Sequence, residues 1–456
     1  MSGRLDLEIA RRLLAETRRA AGSAAVEITV EGGRSELTRF ANNAIHQHVG
    51  ESAMTLSVRT QLGKRTARAS THRVDSEGVQ AVTARALELT GAQAEDPDLL
   101  PMAEPSAAAA PPPVSRWDDR TAAITPAERA AAVAEMVGVA KLGGFTAAGT
   151  CATQSGAVAL LNSNGVEAFY PSTGAEFSVT MLATDSSGWA KGSAVRWVDI
   201  ASKAGAAIAA EKARASANPV AVPAGKYTVI LEPPAVLDLL GFLMWDFGGQ
   251  AVLDQRSFLS DRVGTKLFGE NITIWDDAYH PLQTGMPCDG EGVPRQRIPL
   301  VERGTVRNLV YARQTAEQWN RQRPQSASPT GHGFPLPNEY GEAPLNVVMA
   351  GGNASIEEMI ASTERGILVT RLWYIREVEP YSKMLTGMTR DGTFLIESGK
   401  LRSGVRNFRF NQSMVEMLNQ VEALGPAVRA SGEESFDMVV PPLKVREFNF
   451  TEVTRF

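Results

Sequence analysis

Zinc-type hydrolysis needs neutral or deprotonated donors brought to one point, most often histidines about one helical turn apart with a working glutamate beside the first. The five histidines of this chain, His46, His48, His72, His280 and His332, are followed by Gln47, Val49, Arg73, Pro281 and Gly333. None begins a His-Glu pair, and no histidine lies between His72 and His280. His46 and His48 are two apart on an expected strand and point to one face, but no third donor is near them in sequence, so they read as a solvent-facing pair. Asp246, Asp276, Asp277, Asp289 and Glu291 offer oxygen ligands for a harder cation. The reading adopted for them is the capping of turns and helix ends. Cys288, in MPCDGEG, would act as a nucleophile only with a base such as His280 or His332 at hydrogen-bond distance, and it is read as a neutral turn residue.

The elements that must position these groups follow from periodicity. Leu7, Ala10, Leu13 and Leu14 form one stripe of an amphipathic helix over Leu5 to Ala21. Alternation at Val26, Ile28 and Val30, and again at Leu56 and Val58, predicts half-buried antiparallel strands. Ser76 to Thr90 returns to helical spacing, giving helices laid on a sheet. The segment from Asp96 to Val114 contains six Pro, so it is a surface crossing between two halves of the first domain. Thr125-Pro126-Ala127-Glu128 is a capping box that opens a helix to about Lys141. FTAAGTCATQ, AVALLNSNG, VEAFY and AEFSVTMLATD read as strands with a turn at Asn164-Gly165, and Ile200 to Ala215 as a second Ala-rich helix. NPVAVPAGKY marks a domain boundary. Beyond it, short β-branched runs separated by Gly, Pro and Asp predict a largely antiparallel β domain interrupted by two or three helices.

The expected fold class is therefore α+β. An N-terminal antiparallel sheet with helices covers residues 1–217, with its Pro/Ala-rich crossing near 96–114, and a C-terminal β-rich, barrel- or sandwich-like domain covers 218–456. With 456 residues, 43% of them hydrophobic, two cores are expected rather than one. A net charge of −5 gives no attraction to phosphate backbones, which disfavours direct nucleic-acid binding. Cys151 and Cys288 are the two cysteines; with no charged-then-apolar leader at the start they point to free thiols in a reducing, cytoplasmic setting. Apolar runs such as LLGFLM fall far short of the roughly 20 residues of a membrane span.

Several blocks resemble the TldD/PmbA family, known as modulators of DNA gyrase and as a two-subunit peptidase. They are LTRFANNAIHQ with TLSVRTQLGKRTARAST, AGKYTVILEPPAVLDLL, MPCDGEGVPRQRIPLVERGTV, SPTGHGF with His332 in place of the usual Asn, and RGILVTRLWYIREVEP with LTGMTRDGTFLIESGK. In the catalytic TldD-type subunit, the region similar to Leu231–Ser260 is a helix carrying HExxxH, and a Cys near the C-terminus is a further ligand. This chain lacks both, so it resembles the PmbA or TldE-like subunit.

That resemblance implies a metal-free partner of an HExxxH-bearing TldD-type chain, the zinc or similar metal lying in the partner and none in this chain. The pair would enclose a chamber admitting unfolded or short peptides, with the β domain as a wall for an extended substrate. The substrate-binding candidates are Trp245, Asp246, Gln250, Asp289, Glu291, His332, Arg371 and Tyr374, with Trp373 beside them. Trp245, like Phe242 and Phe247, has the spacing of core aromatics, whereas Asp246 and Gln250 need solvent or a polar ligand and are expected to face the chamber. The alternatives are a peptidase using Cys288 or a carboxylate-bound metal, a homodimeric peptide-binding protein, and a gyrase-associated regulator.

Overall fold

Three sheets organise the chain, and the first is built entirely before residue 195. The computed structural model describes residues 4–106 and 114–454; Ala107–Pro113 of the Pro/Ala-rich crossing lie outside them. Strands β1 (Ala25–Ala41), β2 (Ala44–Leu62) and β3 (Arg65–Thr71) precede the crossing; β4 (Thr146–Asn162), β5 (Glu167–Leu182) and β6 (Ser187–Ala194) follow it. All pair antiparallel in the order β3-β2-β1-β4-β5-β6. The β1–β4 pairing thus joins two three-stranded halves edge to edge.

Helices α1 (Leu7–Ala21) and α2 (Ser76–Ala92) flank the first half, then come the single turn α3 (Asp119–Ala122), α4 (Pro126–Gly143) and α5 (Ser202–Ala215). Thr125 and Glu128 form the expected reciprocal capping box at α4, and Gly165 takes the left-handed conformation in the β4–β5 turn. Period-two alternation places Ile28, Val30, Leu56, Val58, Ala159 and Leu161 against α1 and α2. Cys151, Phe177, Val179 and Met181 lie against α4 and α5 in the same way. The four expected strands after the crossing are two long ones. Gly33 and Gly156 let β1 and β4 run through a close approach where a Cβ on Gly156 would sit 2.6 Å from the Gly32 carbonyl oxygen.

The sheet's opposite face rests on the second half of the chain. Buried Glu27 on that face accepts from Arg59 at 3.0 and 3.2 Å and from Arg68 at 2.7 Å. Arg68 also donates to the Leu336 carbonyl, Tyr170 to that of Thr284, and Arg116 to those of His280 and Pro281.

The second half opens with β7 (Gly225–Leu231). This strand pairs parallel with Arg365–Glu379 and antiparallel with Leu443–Val453; the path continues through Phe408–Ser413 and Met384–Glu397 back to Arg365–Glu379. Five strands therefore close into a barrel-like ring, the barrel alternative of the two expected. Closure removes exposed sheet edges. A flanking six-stranded sheet includes Ile274–Asp276, Ile298–Glu302 and Val347–Met349. Among the described residues five α-helices interrupt this half, rather than two or three. Those that shape the site are α6 (Pro233–Met244), α7 (Gly249–Leu253) and α8 (Arg313–Gln322). One core fuses barrel, flanking sheet and α6. No helix among the described residues is long and apolar enough to cross a membrane.

Candidate functional site

Helix α6 starts on Pro233 and Pro234, whose missing N–H groups cost nothing in the first turn. Apart from Asp238 its sequence PPAVLDLLGFLM is apolar all round, as a helix buried on every side requires. The helix ends at Met244, one residue before the first binding candidate. Trp245–Phe247 form a single 3₁₀ turn, and Gly248 swings the backbone to extended geometry before α7.

That turn reverses the expectation for its side chains. Trp245 is 49% exposed, its ring 6.0 Å from that of Phe334 and 6.3 Å from that of Tyr340, which is 66% exposed. Asp246 is buried instead. It pairs with the buried Lys383 ammonium, which also pairs with Glu377, and accepts from the Phe258 N–H at 3.1 Å. Within the 3₁₀ turn residue 245 faces outward and residue 246 inward. Because Trp245 packs on other surface rings, Trp245→Ala should cost about 1 kcal/mol or less, not the roughly 3–5 kcal/mol of a core tryptophan. Thermal unfolding of that variant checks this.

The loop carrying Phe334 and Tyr340 is fixed by two carboxylates that local sequence made legible only in part. Asp289 accepts from Glu291 and Val293 N–H groups through one oxygen and from Gly333 N–H through the other, each at 2.9 Å. Burial, with Glu291 adding to it, pushes its carboxyl up to about 7. Glu342 accepts from Gln250 N–H (2.8 Å), Ala312 N–H (2.9 Å) and the Thr315 hydroxyl (2.7 Å). Asn338 closes the loop tip on Tyr340 and Gly341 N–H. Gln250, half-buried, gives its amide to Asp254 at 2.9 Å and lines a 220 Å³ hollow with Phe334, Leu336 and Asn338. Glu291 is buried beside Arg313 at 3.3 Å, and burial raises its pKa.

The other candidates lie elsewhere. His332 is fully buried, its Nε2 3.0 Å from Asp276 and its Nδ1 against Thr330. It has no surface to offer a peptide. Arg371 is buried between the Trp189 and Trp373 rings, 4.9 and 5.5 Å from their centres, and pairs with Asp391. Tyr374 is 55% exposed, with Arg376 stacked over its ring at 4.4 Å. The structure thus gathers Trp245, Gln250, Asp289 and Glu291 around the 333–342 loop. Arg371 and Tyr374 sit on the barrel side, and His332 is sealed beneath.

Sequence reasoning missed Phe334, Tyr340, Glu342, Lys383 and Asp238. Asp238 carried a signal, being the lone acid in an otherwise apolar helix. It is fully buried, accepts from the Glu434 N–H at 3.1 Å through one oxygen, and its second oxygen has no hydrogen-bond partner among the described residues.

These residues do not fit a hydrolytic metal. Asp276, Asp246, Asp289 and Glu342 are each committed to separate donors, and the described residues hold no group of three or more His, Cys, Asp and Glu suited to a metal ion. Cys288 is buried, and burial reinforced by Asp289 pushes its thiol up to about 12, the opposite of thiolate activation. His280, the nearer base in sequence, takes the Leu282 N–H on its Nδ1 at 3.2 Å.

Residues 224–452 match the PmbA/TldA metallopeptidase C-terminal domain, and residues 94–217 the central domain of the same metallopeptidases. Over 106 residues the chain is 41% identical to an uncharacterized protein of Methanocaldococcus jannaschii, covering 23% of this chain and 25% of that protein. It is 25% identical over 210 residues to a metalloprotease of the same organism, 44% of each. To a metalloprotease TldD homolog of Buchnera aphidicola it is 27% identical over 213 residues, 44% of this chain and 41% of that one. The matched stretches thus span less than half of these curated relatives. In fold it is similar to TldE from Thermococcus kodakarensis, with a TM-score of 0.85 and 20% identity over 97% of this chain and 100% of that chain. A Thermotoga maritima protein described as a candidate modulator of a DNA gyrase gives a TM-score of 0.84 and 19% identity over 97% and 99%.

Proposed function

The chain belongs to the PmbA/TldD metallopeptidase family, and from that membership we propose that it is the TldE-like, metal-free subunit of a TldD-type peptidase. In this reading it pairs with an HExxxH-bearing chain that brings the metal. Together they close a cytoplasmic chamber around unfolded or short peptides.

One observation carries the proposal. In the segment whose family counterpart holds the metal motif, this chain presents an apolar helix ending in a surface group of rings, Trp245, Phe334 and Tyr340, over carboxylates already saturated by N–H donors. Such a surface binds by contact rather than by chemistry. Exposed aromatics of this kind supply area at low entropic cost in peptide and subunit recognition. The fold likeness to TldE supports the same assignment.

The test is co-expression with an HExxxH homologue from the same genome. The two chains are expected to copurify and to cleave an unstructured peptide in a chelator-sensitive way, while this chain alone neither cleaves nor retains an equivalent of zinc. Cys288→Ala should leave the rate of the pair within about threefold, since a loss of a hundredfold, about 2.7 kcal/mol in the barrier, would assign the chemistry to the thiol. Metal-dependent cleavage by this chain alone would overturn the reading.

A further inference from the structure

On the far side of α7 from Gln250, a 520 Å³ pocket opens between α7, α8 and the loops at 261–263, 307–309 and 323–326. Its volume falls within the range of about 300–1,000 Å³ typical of small-ligand sites. The floor is apolar and fixed. Val252 and Leu309 are buried there, and the Tyr311 and Trp319 rings meet edge to face at 5.3 Å and 70°.

The rim carries the charge. Arg307 and Arg323 both line the pocket, against one lining acid, Asp261. The Arg323 guanidinium lies 5.6 Å from the centre of the Trp319 ring, which limits its freedom over the apolar floor. Among the described residues each guanidinium has one carboxylate partner, and that partner is exposed: Arg323 pairs with Asp261 at 3.0 Å, whose side chain is 74% exposed, and Arg307 with Glu302 at 3.0 Å. An ion pair whose carboxylate stands in solvent contributes little and exchanges readily. A ligand carboxylate brought in on an apolar group can take over a guanidinium fork while its side chain fills the floor, gaining geometry that the solvated partners do not enforce.

From this we infer that the pocket binds the C-terminal residue of a peptide, one with an aromatic or branched aliphatic side chain, with Arg307 and Arg323 taking its carboxylate and Trp319, Tyr311 and Leu309 its side chain. The site requires neither the partner chain nor a metal, so it stands or falls apart from the subunit assignment.

The full chain is titrated calorimetrically with N-acetylphenylalanine, its carboxamide and free phenylalanine. The acid should bind at millimolar strength or tighter and its amide about tenfold or more weakly. Combined Arg307→Gln and Arg323→Gln should bring the acid down to the level of the amide, and Ser326→Trp, which fills the mouth from an exposed position, should remove both. Equal affinity for acid and amide, affinity unmoved by the arginine pair, or no binding at about 10 mM acid overturns the inference. Tighter binding of free phenylalanine than of the N-acetyl acid also overturns it, by assigning the pocket to a free amino acid.

Discussion

Lys383→Met is expected to destabilise the chain by about 3–5 kcal/mol, because it strands a buried carboxylate. The Lys383 and Asp246 side chains are each only 5% exposed, and the ammonium is shared with Glu377. Burial already pushes the Asp246 carboxyl upward, and the Lys383 charge is the chief influence opposing that rise. Without Lys383 the opposing charge is gone. The sign with pH follows directly. A carboxyl raised in the folded state binds more protons there than in the unfolded chain, so stability falls as pH rises. The deficit of Lys383→Met should accordingly shrink on acidification from pH 8 to pH 5. Pairing it with Asp246→Asn, which removes the stranded charge, should recover more than half of the loss. Equilibrium urea unfolding of the single and double variants measures both effects. A loss under about 1 kcal/mol would mean that water reaches the pair and that Asp246 faces a wet chamber after all. The functional consequence is that Asp246 anchors the turn displaying Trp245 and is not itself displayed.

That exchange between neighbours shows where sequence reading succeeds and where it stops. Contacts made within a few residues were legible. The capping box at Thr125, the turn at Gly165 and the burial of Val26, Ile28 and Val30 on one face each depend on local backbone geometry and took the form read from the sequence, but Glu27 between them is buried too, so that part of the strand is covered on both faces rather than half-buried. Capping by Asp289 of the N–H groups two and four residues on is equally local. The partners of Asp246, His332 and Arg371 are not. Lys383, Asp276 and Asp391 reach them through barrel closure and sheet packing, which no period of three or two residues encodes. Trp245 and Asp246 run against expectation because residue type alone puts an aromatic inside and an acid outside, whereas Lys383 from the barrel buries Asp246 and the rings of Phe334 and Tyr340 hold Trp245 at the surface. The closing of β7 into a ring was legible only as the alternative of barrel or sandwich, since a parallel pairing with Arg365–Glu379 depends on everything folded between them.

Asp238→Asn is expected to stabilise the chain by up to about 4 kcal/mol at pH 8. Asp238 sits mid-way along the apolar helix α6, fully buried, and burial pushes its carboxyl from 3.8 up to about 7 despite the Glu434 N–H and the Arg371 charge. At pH 8 the group is ionised both in the fold and in the unfolded chain. The fold then bears the full difference between 3.8 and about 7, at roughly 1.4 kcal/mol per pH unit. At pH 5 the folded carboxyl is protonated, and only the interval from 3.8 to 5 counts, about 1.6 kcal/mol. Asparagine keeps the acceptor for the Glu434 N–H and carries no charge at any pH. Its benefit should therefore fall by more than half between pH 8 and pH 5, and it should be absent below about pH 4. Thermal unfolding of both proteins across that range reads the difference directly. A gain independent of pH would mean that Asp238 is never ionised in the fold. A loss at pH 8 would mean that the second carboxylate oxygen, which has no partner among the described residues, takes a bound water or cation that an amide cannot hold. The expected gain has a bearing on the site as a whole. An acid retained at such cost in the helix that ends at Trp245, next to the loop at 431–437, is a group the fold would stabilise itself by losing, and its retention then has to be explained by what it contacts in the assembled enzyme.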